Sequence, residues 1–178
     1  MPLLLLYCVL VLQQAGPARD AAGKSAYFAF VDRDFIFTLE FVKPGVPLFN
    51  FVSLAEEERS LQAKEVRLVL GGRTVTGRYF AIDTGDPQEP VVVASLKIRP
   101  RSSFGVTLRG DFADARDAAA VTVRAGDEEF HLAPLSSFDF ENLVLKVNRI
   151  NLGSPDFRDD FRVLKLSEIG TRRRVRQR

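Results

Sequence analysis

Residues 35–42 read Phe-Ile-Phe-Thr-Leu-Glu-Phe-Val, which puts Phe35, Phe37, Leu39 and Phe41 on one side of an extended chain. Ile36, Thr38, Glu40 and Val42 fall on the other side. A period of two belongs to a strand with one face on a core, because successive side chains point to opposite faces. The same rhythm runs through AYFAFV (26–31), LFNFV (48–52) and FGVTLRG (104–110). Asp32-Arg33-Asp34 fits a tight turn or a bulge, and KPGVP (43–47) breaks the pattern.

Two hairpins follow from turn chemistry. In EVRLVL-GG-RTVTGRYFAID (65–83), Gly71-Gly72 supplies the positive φ values of a two-residue connection. AVTVR-AGD-EEFHLAPL (120–135) is the second, with Gly126 at its apex. VVVASLKI (91–98) reads as a central strand, and SFDFENLVLKVNRINL (137–152) as one or two strands. PDFRDDFRVLKL (155–166) is a last apolar-periodic stretch. Ser53-Leu54-Ala55-Glu56 has the form of a capping box, so a short surface helix is predicted over 54–64.

The fold expected is all-β and mainly antiparallel, a single β-sandwich of about nine strands with one short surface helix. A closed barrel is the other arrangement such strands permit. Asp117-Ala118-Ala119 ahead of Val121-Thr122-Val123-Arg124 resembles the corner before strand F of immunoglobulin-type sandwiches. Val121 stands where that corner has Tyr, and the paired cysteines and core Trp are missing.

Residues 3–12, LLLLYCVLVL, form an apolar run of signal-peptide length, short of the roughly 20 residues that cross a bilayer. Gly16 and Ala18 are the small residues before a cut at Arg19; cuts after Ala21 or Ala22 fit nearly as well. The expected organisation is a signal peptide over 1–18, a β domain over 19–170 and a basic disordered tail over 171–178. The location expected is secreted or periplasmic, with no transmembrane segment left after cleavage. The single cysteine, Cys8, lies in the leader, so the mature domain would have no disulfide, thiolate nucleophile or thiolate metal site.

Fifteen Phe and no Trp in 178 residues describe a core of phenyl rings. Formal charge is +2, yet Arg172, Arg173, Arg174, Arg176 and Arg178 crowd the last seven residues. Without those five cations the rest carries −3, which is not the basic face of a specific nucleic-acid binder. The five arginines are the candidate binding residues, recognising another protein or an anionic polymer or surface by charge.

Chemistry is sparse elsewhere. His131 is the only histidine, alternating with Phe130 and Leu132 and therefore on the outer face of its strand. It excludes a multi-histidine zinc site, and no nucleophile stands beside it in sequence. Asp111, Asp114 and Asp117, and Asp83 with Asp86, are turn residues that could in principle supply calcium oxygens. No phosphate loop, nucleophile elbow or zinc-protease motif is present, so no catalytic residue, metal or cofactor is assigned. Three functions follow: a non-enzymatic module acting by protein or glycan contact, a barrel carrier of a small apolar ligand, and a hydrolase built from distant carboxylates.

Overall fold

The computed structural model describes residues 27–43, 46–70, 72–83, 90–112 and 118–175. The leader and its cleavage points lie outside the described residues. So do Asp86, Asp114, Asp117, Gly71, Arg176 and Arg178.

The strands are β1 (Tyr27–Val31), β2 (Phe35–Lys43), β3 (Val46–Ser53), β4 (Arg59–Gln62), β5 (Val66–Leu70) and β6 (Arg73–Ile82). They continue with β7 (Val91–Val93), β8 (Ser95–Ile98), β9 (Ser102–Gly110), β10 (Ala118–Ala125), β11 (Glu128–Leu135) and β12 (Thr171–Arg174). All the strand pairings are antiparallel. Eight strands run in the order β1-β2-β3-β9-β6-β5-β10-β11, and β11 pairs back onto β1. The sheet is therefore a closed barrel, and the nine-strand sandwich is overturned. Alternation is the same in either architecture; the pairing of Tyr27 with Leu135 and Ala29 with Ala133 closes the ring. Ala118, expected at a sandwich corner, begins β10 in the barrel wall.

Both hairpins form. Leu70 pairs with Arg73 and Leu68 with Val75, and Gly72 adopts φ +82°. Ala125 pairs with Glu128 around Gly126-Asp127. Asp32–Asp34 is a tight turn: Asp32 Oδ1 accepts the N–H groups of Asp34 at 2.8 Å and Phe35 at 2.7 Å.

The predicted helix over 54–64 is absent. Residues 54–58 bend out of β3, β4 follows, and only Ala63–Glu65 makes a 3₁₀ turn. Leu54, Ala55 and Leu61 are all buried, which gives the segment more inward anchors than one narrow helical stripe provides. β4 pairs with β8, and Leu61, Leu96 and Ile98 join the barrel core. The helix instead occupies α1 (Ser137–Val147), where strands were expected. Ser136 caps it by accepting the Asp139 N–H at 3.1 Å. Phe140 and Leu143 are buried and Val144 and Val147 half-buried, the i, i+3, i+4, i+7 spacing of a helix laid on a surface.

The interior is filled with aromatic rings. Phe28, Phe37, Phe49 and Phe80 have no exposed surface, and Phe35, Phe51 and Phe130 are 1% exposed. Phe37 is the hub, with ring centroids of Phe130 at 4.9 Å and of Phe35 and Phe49 at 5.8 Å. Burying one such side chain contributes about 1.5–3 kcal/mol, so these rings are the main stabilising term of the barrel. A second apolar layer lies outside the wall. Ala29, Val31 and Ile36, on the other faces of β1 and β2, pack with Leu143, Phe157, Leu166 and Ile169. The chain after β11 is thus wrapped over one side of the barrel and returns Thr171 to the edge of β11.

Candidate functional site

β12 overturns the expectation of a disordered tail over Thr171–Arg174. It pairs with β11 through Thr171–His131, Arg172–Phe130, Arg173–Glu129 and Arg174–Glu128. The seam explains why a strand is needed there. β1 pairs with β11 only over Ala133–Leu135, and the N-terminal half of β11 would otherwise present an open edge. Gly170, at φ +78°, lets the chain cross against the His131 carbonyl, where any Cβ would clash.

Register puts Arg172 on the same face as Phe130, above the end of the phenyl core. Its Nη1 donates to Asp32 Oδ2 at 3.0 Å and to Asp34 Oδ2 at 2.9 Å. Nη2 and Nε both donate to Glu128 Oε1, at 2.7 and 2.9 Å. The guanidinium carbon is 5.5 Å from the Phe35 ring centroid and 5.6 Å from that of Phe130, in cation–π range. Burial alone would lower the Arg172 pKa, but the hydrogen bonds to Asp34, Glu128 and Asp32 outweigh it and hold the group above its ordinary value. Arg59 adds a weaker contact to Glu128, 3.7 Å from Oε2.

A cleft of about 280 Å³ opens beside this cluster, lined by Asp34, Phe35, Glu56, Arg59, Arg158 and Arg172 among others. Arg101 donates to Glu56 at 3.0 Å, and Arg101 and Arg158 both lie over the Phe157 ring. One end of the barrel therefore carries a rim of paired charges around a shallow polar hollow.

The five candidate arginines are separated by this geometry. Arg172 is withdrawn into the body and neutralised, whereas Arg173 and Arg174 are exposed on the edge strand. Arg176 and Arg178 lie outside the described residues. Reading charge density alone missed the distinction; the acids that hold Arg172 are 44, 138 and 140 positions away.

The remaining sequence candidates lie elsewhere. His131 is half-buried on the outer face of β11, its Nε2 3.0 Å from Glu129 Oε1 but without hydrogen-bond geometry. Among the described residues no group of three His, Cys, Asp or Glu side chains is placed to hold a metal ion. No helix among them is long and apolar enough to cross a membrane.

A second polar feature lies beneath α1. Glu40 is 7% exposed on the outward face of β2, and burial first and the Glu141 charge second raise its pKa above the ordinary carboxylate value. Tyr27, whose ring is 4.7 Å from that of Phe140, is raised as well, by burial and by Glu40 and Glu141. No protein-family model, curated protein or solved structure matches this chain.

Proposed function

We propose that this chain is a secreted or periplasmic, non-enzymatic module that acts by contact with another protein or with an anionic glycan or surface. The observation that carries the reading is the packed interior. An eight-stranded barrel either fills its lumen with side chains or holds one small ligand there. Here the rings of Phe30, Phe49 and Phe130 gather around Phe37 in the lumen, with centroids 6.0, 5.8 and 4.9 Å from its own. Recognition is then left to the outer surface.

On that surface, Arg173 and Arg174 are exposed on the edge strand, and Arg158 lines the polar cleft. Against the hydrolase alternative, the three carboxylates gathered around Arg172, those of Asp32, Asp34 and Glu128, each commit an oxygen to it. The carrier alternative keeps only the barrel architecture in its favour.

Retention on heparin, a soluble anionic polysaccharide, tests the contact reading. Binding should fall steeply from low to physiological salt, because each neutralised anion releases counterions. Arg173→Ala with Arg174→Ala should weaken it. Retention unchanged by that double substitution, or no retention at low salt, would remove these two exposed arginines from the function.

A further inference from the structure

The geometry points to the N-terminal half of β11 as a recognition site for an extended, arginine-bearing peptide strand, with the chain's own C-terminal segment as its resident occupant. In trans, the occupant is the same segment of a second copy. The inference deepens the contact reading by naming a partner chemistry. It does not depend on what the outer arginines bind.

Three observations converge. First, β12 is a four-residue strand joined, among the described residues, to the sheet on one side only. Everything it satisfies on Glu128–His131 is an edge of backbone donors and acceptors, the surface that added strands use for affinity. Second, the side-chain selectivity is concentrated in one residue. Arg172 meets three carboxylates and two phenyl faces, while Arg173 and Arg174 point to solvent. Third, the side-chain hydrogen bonds of Glu128 come from the cation in the slot, with Arg59 only in a 3.7 Å contact. Glu128 is 4% exposed, and its Oε2 already has no hydrogen-bond partner. Emptying the slot would leave that carboxylate without its two shortest contacts. A forked guanidinium fits three oxygens in two directions, which a lysine ammonium on a flexible stem does not.

The site differs from a general cation trap in its register. An arginine must stand opposite Phe130, one residue after a position opposite His131 and two after the tight crossing at Gly170. Neighbouring arginines contribute charge without entering the slot.

The test uses the full chain carrying Arg172→Ala, whose own strand is weakened as a competitor, and a fluorescent peptide of residues 167–178. Anisotropy should report saturable binding to this variant, and at least tenfold weaker binding to the wild-type chain, where the slot is filled in cis. A peptide with Arg172→Ala should lose at least tenfold in affinity, and one with Arg173→Ala less than threefold. Those two peptides have equal net charge, so only register separates them. Equal losses for the two peptides, or no binding to the variant chain, would overturn the proposal. Should Arg172→Ala fail to fold, Arg172→Lys takes its place in the same assay. A chain that folds in neither form would show that the strand cannot be exchanged, which also overturns it.

Discussion

Arg172 and Glu128 are 44 positions apart and share two hydrogen bonds of 2.9 and 2.7 Å to a single carboxylate oxygen. The pair ties β12 to the first residue of β11, in the part of β11 that β1 does not pair. Asp32 joins from the β1–β2 turn, using one oxygen for the turn itself and the other for Arg172. One guanidinium thus connects three parts of the chain that local sequence keeps separate.

Removing it should be costly. Arg172→Ala leaves Glu128 buried without its main partner, and should destabilise the fold by about 2–3 kcal/mol, below the full cost of a wholly buried pair because Arg172 is partly exposed. Arg173→Ala, one residue on and exposed, should stay within about 0.5 kcal/mol. Urea denaturation of both variants checks this; equal effects would mean the cluster is a surface network of no consequence.

The phenyl hub gives a second contrast. Phe37→Ala removes a ring with no exposed surface and should cost about 3–5 kcal/mol. Phe138, 72% exposed on α1, should tolerate the same truncation within about 0.5 kcal/mol. Melting curves of the two variants side by side would expose an error if Phe37→Ala stayed near wild type.

Two glycines at positive φ should differ in a measurable way. Gly72 at +82° has open space around a hypothetical Cβ, so Gly72→Val should lose a kcal/mol or more, from backbone conformation alone. Gly170 at +78° faces the His131 carbonyl, so even Gly170→Ala must displace backbone and should lose more than Gly72→Ala. The reverse order in thermal denaturation would contradict the close approach of Gly170 to the His131 carbonyl at the start of β12.

Glu40 sets a pH dependence. Its folded pKa is raised above the ordinary 4.5, so the folded state holds the proton more tightly than the unfolded chain. Its contribution to stability therefore grows as pH falls from the raised value toward 4.5, and is lost as pH rises back through it. Glu40→Gln, neutral throughout, should be more stable than wild type at neutral pH, and the gap should narrow on acidification. A gap independent of pH would mean Glu40 is solvated under α1.

Much of the wall was legible in the sequence. Phe35, Phe37, Leu39 and Phe41 alternate as the barrel requires, and Gly72 and Gly126 mark hairpins by turn chemistry that needs no tertiary context. Barrel closure was not legible, because the β1–β11 pairing joins segments about a hundred residues apart and leaves no local trace. α1 was legible and misread: Ser136 with Asp139, and Phe140, Leu143, Val144 and Val147, carry a cap and a helical period. Phe138 and Phe140 alone mimic a strand. The capping-box form at Ser53–Glu56 failed for the opposite reason, since Ser53 is the buried end of β3 and tertiary pairing overrode local preference. In the tail, charge density described Arg173 and Arg174 well and Arg172 badly, because its acidic partners are brought to it only by the closed barrel.

A barrel filled with phenyl rings would leave the proposed binding to its outer surface. Titration with N-phenyl-1-naphthylamine, a small apolar fluorophore, tests this most directly. The packed lumen predicts no saturable fluorescence enhancement for the folded wild-type protein. One-to-one saturation, reversed by a competing fatty acid and changed by Phe37→Leu, would place a ligand inside the barrel and contradict the account.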